Sequence, residues 1–218
     1  MYTLAFDTTV NYCSLVLFNG TKPLDRFEQE MDFGQAETLM VEIDNILKRN
    51  NLAFGDLSLI VVCTGPGSFT GVRSSVAAAR AFKLACPDVC VMGVNAFETY
   101  VSELSENNLS EVNAVLIETK REDFYVQYYD NNLNKIMPPM TAFYDDIIRF
   151  LSSKNVTLIG DGVERFLSRP SGLSLHNIVM KDKINIDKLA LTGIKKYADK
   201  VIDFPKPLYL KAPDVCIK

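Results

Sequence analysis

Residues 56–85, DLSLIVVCTGPGSFTGVRSSVAAARAFKLA, constrain the fold more than any other stretch. The first part is a continuous apolar, β-branched run, which fits a strand covered on both faces, as in a parallel sheet. The last part, from about Thr70 to Ala85, is predicted to be a helix. Gly65, Gly67 and Gly71 lie between and at its start. A strand, a glycine loop and a helix form the setting in which free backbone N–H groups and the helix dipole receive an anion. The letters match neither strong phosphate motif. A P-loop needs Gly-Lys-[Ser/Thr], and Val72 follows Gly71 here; the dinucleotide fingerprint needs one residue fewer between its second and third glycines. The other reading is a tight turn whose glycines take positive φ. The helix itself carries little bulk: Gly71, Ser75 and Ala78/Ala79 fall on adjacent turns, so another backbone can come close. Arg73, Arg80 and Lys83 add positive charge to part of it.

Around this segment the pattern alternates. Residues 2–9 and 13–18 read as strands, with a third near 23–31 after an Asn19-Gly20 turn signal. Asp7, Thr8 and Thr9 fall at the end of the first strand, where an Asp either holds a metal–phosphate or caps its own turn. Residues 35–51 are predicted to form a helix whose face is Leu39, Met40, Ile43, Ile46 and Leu47. A short strand follows at 89–94. Asn95 with Glu98 three residues on predicts a capped helix. A second unit is expected to begin near residue 110. It reads as two strands around a polar turn at 120–123, a helix over 141–154 capped by Thr141, and a strand over 156–162. A short helix, a strand and a final helix at 185–200 follow. The tail, 204–218, is expected to be extended. This predicts an α/β protein with mixed sheets, divided into residues 1–108 and 109–218.

Composition removes several functions. The 218-residue chain has a single histidine, His176, so no site that needs two histidines can be built. Its five cysteines show no Cys-x-x-Cys pair and read as reduced, buried thiols. A net charge of −4 without a basic stripe argues against tight binding of RNA or DNA by this chain alone. No apolar run reaches the roughly 18 residues of a membrane span. The start reads as a strand rather than a signal peptide, so a cytoplasmic protein is expected.

The order and spacing of LAFDTT…CSLVLF, GPGSFTGVR (65–73), LIETKREDFYVQYY, GDG and PLYLK resemble the bacterial TsaB (YeaZ) family over nearly the whole chain. The resemblance implies a two-lobe actin-like, ribonuclease-H-like fold and a part in making threonylcarbamoyladenosine in tRNA. It also implies a non-catalytic subunit that pairs with the catalytic TsaD subunit and is joined by the ATPase TsaE. On that reading tRNA is met only through the complex. No cofactor is bound by this chain alone, ATP or ADP belongs to the complex, and the isolated chain forms a homodimer. No metal ligand is expected. TsaD-like proteins place two histidines on a first-lobe helix, and residues 34–47 contain none. Gln35 stands where many relatives keep a histidine, and Glu118-Thr119-Lys120 replaces the usual Asp-Ala-Arg, so neither position inherits a role. Members have also been called glycoproteases of the M22 type.

The resemblance makes the two helices, roughly 35–50 and 70–85, the partner surface, with Leu39, Ile43, Arg73, Ser75, Val76, Ala79 and Arg80 as its residues. A bulky side chain at Ser75 or Ala79 is expected to abolish pairing while sparing the fold. Asp7, Thr8, Thr9, Gly65, Gly67, Ser68 and Gly71 then form a vestigial nucleotide site. Actin-like ATPases follow this Asp with Gly in the turn; Thr9 fills that place, and the closest phosphate approach is lost. The competing reading is an independent small-molecule kinase or ATPase that uses Asp7, Thr8 and the 65–71 loop. A peptidase is disfavoured, since no nucleophile has a candidate base nearby in sequence.

Overall fold

The structure, a computed structural model, describes residues 1–211. It contains two five-stranded mixed sheets. The first runs β3-β2-β1-β4-β5, from β1 (Tyr2–Asp7), β2 (Tyr12–Asn19), β3 (Lys22–Glu30), β4 (Leu57–Cys63) and β5 (Cys90–Val94). β1, β2 and β3 pair antiparallel; β4 joins β1 in parallel, and β5 joins β4 in parallel. The second sheet repeats this plan with β8-β7-β6-β9-β10: β6 (Val112–Glu118), β7 (Asp123–Tyr129), β8 (Met140–Phe143), β9 (Asn155–Gly160) and β10 (Ser174–Met180). The apolar run at β4 is buried because it lies between parallel neighbours, whereas charged β3 takes a largely exposed edge.

Alternation along the strands divides the side chains of the first sheet between its faces. Leu4, Phe6, Leu15, Leu17, Ile60 and Val62 form one core with Leu39, Ile43, Ile46 and Leu47 of α1 (Gln35–Arg49) and with Ala79 and Phe82 of α2 (Phe69–Ala85). Val61 faces the other way and meets α6 (Ile186–Ala198). α3 (Ala96–Val101) carries the capping box expected from Asn95 and Glu98. In the second unit Ile147 and Leu151 of α4 (Tyr144–Leu151), with Val163 and Phe166 of α5 (Val163–Leu167), cover one face of the sheet.

Several expectations are corrected. The division at 108/109 gives way to a first unit of Met1–Glu103 with Lys183–Pro207, and a second of Leu104–Asp182 with, among the described residues, 208–211. The cause is α6, whose buried Ile186, Leu189, Ala190 and Ile194 pack on the first sheet. Gly193 lets it approach: a Cβ there would lie 2.4 Å from Val61 Cγ2. Thr141 does not cap a helix; it pairs with Tyr125 in β8, and α4 starts after Phe143. The Asn19-Gly20 turn shifts by one, because Asn19 still pairs with Lys22 and the loop is Gly20-Thr21. Met40 is exposed and leaves the buried face of α1. Cys13 and Cys63 are buried free thiols, whereas Cys86 and Cys90 are only partly covered. Cys216 and the tail beyond residue 211 lie outside the described residues.

Replacing Gly193 by Val should cost about 1–3 kcal/mol through overpacking against Val61, measured by urea unfolding. An unchanged midpoint would show that α6 does not need this close approach.

Candidate functional site

The sequence singled out the end of β1 and the loop before α2, and the structure brings them together. Gly65 takes φ +84°, and its carbonyl accepts Ala96 N at 2.8 Å. Ser68 caps α2, its Oγ accepting Gly71 N at 3.3 Å. The turn after β1 rests directly on this loop. Ser68 N donates to the Thr9 carbonyl at 2.7 Å. A Cβ on Gly67 would lie 2.4 Å from Thr9 O, and one on Gly71 only 1.8 Å from Thr8 O. Thr8 Oγ1 donates to Gly71 O at 2.7 Å, so its single hydrogen is spent. The 2.7 Å contact with Ser75 Oγ is therefore donated by Ser75.

The glycines thus allow close approach, but of the chain's own backbone. The space against Gly67 is filled by the Thr9 carbonyl and that against Gly71 by the Thr8 carbonyl. Ser68 N and Gly71 N are both bonded within the chain. Of the three glycines, Gly65 takes the positive φ of a tight turn, while Gly67 and Gly71 serve close backbone approach.

Asp7 is buried beneath the turn. Its Oδ1 accepts Thr9 N at 3.0 Å, while Oδ2 finds no partner among the described residues. Burial dominates and pushes the carboxyl up to about 6; bonds from Thr9 pull it back only in part. Across the strand pair, buried Ser14 leaves its Oγ unpartnered as well. Burial also raises the thiols of Cys13, to about 12, and Cys63, which stay protonated.

The expected partner residues divide differently from the prediction. Leu39, Ile43, Ser75, Val76 and Ala79 are all buried in the first unit's own interior. Ser75 is tied to Thr8, so a bulky residue there would disturb the fold and cannot serve as a clean interface variant. Arg73 and Arg80 do lie on the exposed side of α2. The Arg73 guanidinium sits 3.6 Å above the Phe69 ring. Arg80 donates through Nε and Nη2 to Pro205 O, at 3.0 and 2.7 Å, which pins the segment after α6.

What the prediction missed is a set of exposed apolar residues on or beside α1 and α2. Phe33 is 88% exposed and Leu84 is 84% exposed, with Met40, Val41 and Phe69 also open to solvent. A signal existed: Val41 lies off the 39/43/46/47 stripe of α1, and Leu84 off the 72/75/76/79/82 stripe of α2. Among the described residues no cluster of three or more His, Cys, Asp or Glu could hold a metal, and no helix is long and apolar enough to cross a membrane.

Residues 34–216 match the model of the family "TsaD: tRNA N6-adenosine threonylcarbamoyltransferase". A tRNA threonylcarbamoyladenosine biosynthesis protein TsaB from Buchnera aphidicola is 25% identical over 169 residues, covering 75% of this chain and 76% of that protein. The chain belongs to the TsaD family, in its TsaB/YeaZ branch. YeaZ from Pseudomonas aeruginosa superposes with a TM-score of 0.77 at 17% identity, over 96% of this chain and 99% of that one. A Bacteroides thetaiotaomicron protein with an actin-like ATPase fold gives 0.50 at 12% identity, over 87% and 95%. The TsaB/YeaZ architecture here is therefore the actin-like one.

The raised Asp7 carboxyl has a signed consequence. The unfolded chain ionises this group near 3.8 and the folded chain near 6, so the folded state holds the extra proton between those values. Stability should therefore fall as pH rises from about 4 to 6, by roughly 3 kcal/mol, and then level. In Asp7→Asn this fall should vanish, as read from urea unfolding across that range; superimposable pH profiles for the two proteins would refute the assignment. Gly71→Ala should unfold at lower urea, because its methyl group meets the Thr8 carbonyl.

Proposed function

We propose that this chain is a non-catalytic accessory subunit in the formation of threonylcarbamoyladenosine in tRNA. In this reading it acts by pairing with a TsaD-type catalytic subunit through the exposed side of α1 and α2. The observation that supports the non-catalytic part is the packing of the glycine loop: the Thr8 and Thr9 carbonyls lie directly against Gly71 and Gly67, beside a buried Asp7. The names of the related TsaB proteins support the pathway.

The surface supports the pairing. Phe33, Met40 and Val41 precede or lie on α1, Phe69 and Leu84 lie on α2, and the two helices touch. Exposed apolar residues on two touching helices suit an interaction site where they join into one patch. α2 has no acidic residue and carries Arg73, Arg80 and Lys83, so a partner with carboxylates facing it would meet complementary charge. In the absence of that partner a second copy of the chain takes its place, hence a homodimer. TsaE joins the pair, tRNA is reached through the complex, ATP or ADP binds only in the complex, and the setting is the cytoplasm.

The test uses the TsaD subunit of the same organism and size-exclusion chromatography with light scattering. A defined heterodimer is expected. Leu84→Asp and Val41→Asp should each weaken it by about tenfold or more, as loss of a buried apolar anchor does, with unfolding midpoints unchanged. A heterodimer indifferent to both variants would move the interface elsewhere. ATP turnover by this chain alone would overturn the non-catalytic reading.

A further inference from the structure

The second unit holds a cavity of about 150 Å³, lined by Glu122, Phe124, Tyr144, Arg165, Ser168 and Arg169. The hairpin between β6 and β7 supplies the first two, the start of α4 supplies Tyr144, and α5 with the turn after it supplies the rest. Arg165 is fixed in place. Its Nε donates to Glu118 Oε2 at 2.6 Å, its Nη2 donates to the Asp123 carbonyl at 2.7 Å, and its guanidinium lies 3.7 Å from the Phe124 ring centroid. Its Nη1 takes no part in these bonds.

The supporting residues are braced in turn. Glu118 N donates to Asp161 Oδ1 at 3.1 Å, and the Thr119 hydroxyl donates to Asp123 O at 2.6 Å. Lys211 pairs with the Asp123 carboxylate, which lies below the usual range. Arg169, one turn beyond Arg165, has its guanidinium 5.2 Å from the Tyr144 ring centroid. The Tyr144 hydroxyl donates to Pro170 O at 2.9 Å and holds that turn. Arg169 and the exposed Glu122 line the same cavity, yet among the described residues no ion pair joins Glu122 to either arginine.

We propose that this cavity binds a small zwitterion of the α-amino acid kind, with its carboxylate on Arg165 Nη1 and Arg169 and its ammonium on Glu122. The charges select the class. A bare anion is opposed by Glu122, and Glu118 already offsets Arg165; a bare cation is opposed by two guanidinium groups. A molecule with both charges satisfies both walls, and the Phe124 and Tyr144 rings supply an apolar side. A cavity of this size takes a molecule of about benzene size, which limits the ligand to the smallest amino acids. The site is separate from the proposed subunit role and stands without it.

The test is a titration of the full-length ¹⁵N-labelled chain with glycine, acetate or methylammonium at constant ionic strength. The Ser168 amide and Arg165 Nε resonances report on the cavity. Glycine should give a saturable shift and bind at least roughly tenfold tighter than either single-charge probe, as two charge-assisted contacts exceed one. Glu122→Gln and Arg169→Met, both on exposed side chains, should each lose about tenfold while the rest of the spectrum is unchanged. Acetate binding as tightly as glycine would leave only an anion site and overturn the proposal. So would the absence of any saturable shift, or glycine binding that neither substitution weakens.

Discussion

The first unit depends on one contact between backbones, the Thr8 carbonyl against the α-carbon of Gly71. It is possible only because residue 71 has no side chain. Ser68 N on Thr9 O and the Thr8–Ser75 hydroxyl pair close the same seam on either side. Together they set where α2 begins and how near it lies to the sheet. α1 lies beside α2 and shares its core, so its placement follows. The placing of the exposed apolar residues on both helices is therefore a consequence of where one glycine meets one carbonyl.

The second unit uses the same device. β9 pairs in parallel with β6, as β4 does with β1, and a glycine turn leads into a helix. Gly160 takes φ +129°, and a Cβ there would lie 2.1 Å from Leu116 O. Gly162 N donates to that same carbonyl at 3.0 Å, and Asp161 Oδ1 accepts Glu118 N. In both units the turn after the inner parallel strand leans on its neighbour through glycines. The two units differ in the helix that each turn leads into. α2 is long and presents a surface, whereas α5 is short and its arginine braces the hairpin through Nε and Nη2.

Much of this was legible in the sequence where local chemistry decides it. The β4 run, the Asn95–Glu98 cap and the stripe of α1 depend on residues close together in the chain, and each folds as its pattern predicts, Met40 of the stripe excepted. Thr141 was misread because a β-branched residue before an amphipathic run suits a cap and a strand equally, and pairing with Tyr125 settled it. The return of α6 was not legible, since only the fit of Gly193 on Val61 reveals it. The close approach at α2 was legible, but not its direction. Small residues at Gly71, Ser75 and Ala79 do signal a close backbone, yet spacing along a helix cannot say whose backbone it is. Here it is the chain's own.

That direction bears on α2 as a whole. Its inner stripe is built of Gly71, Ser75 and Ala79, with only Val72, Val76 and Phe82 to bury sizeable apolar area. An ordinary surface helix would place charge on its other side. α2 places Ala77, Ala81 and Leu84 there, alongside Arg73 and Arg80. The arginines are themselves engaged, Arg73 over the Phe69 ring and Arg80 on the Pro205 carbonyl, so their alkyl stems extend the apolar strip rather than interrupt it. The outer side of α2 thus leaves Ala77, Ala81 and Leu84 uncovered among its arginines. Covering that side with a partner gives these residues a role that the fold of this chain alone does not supply.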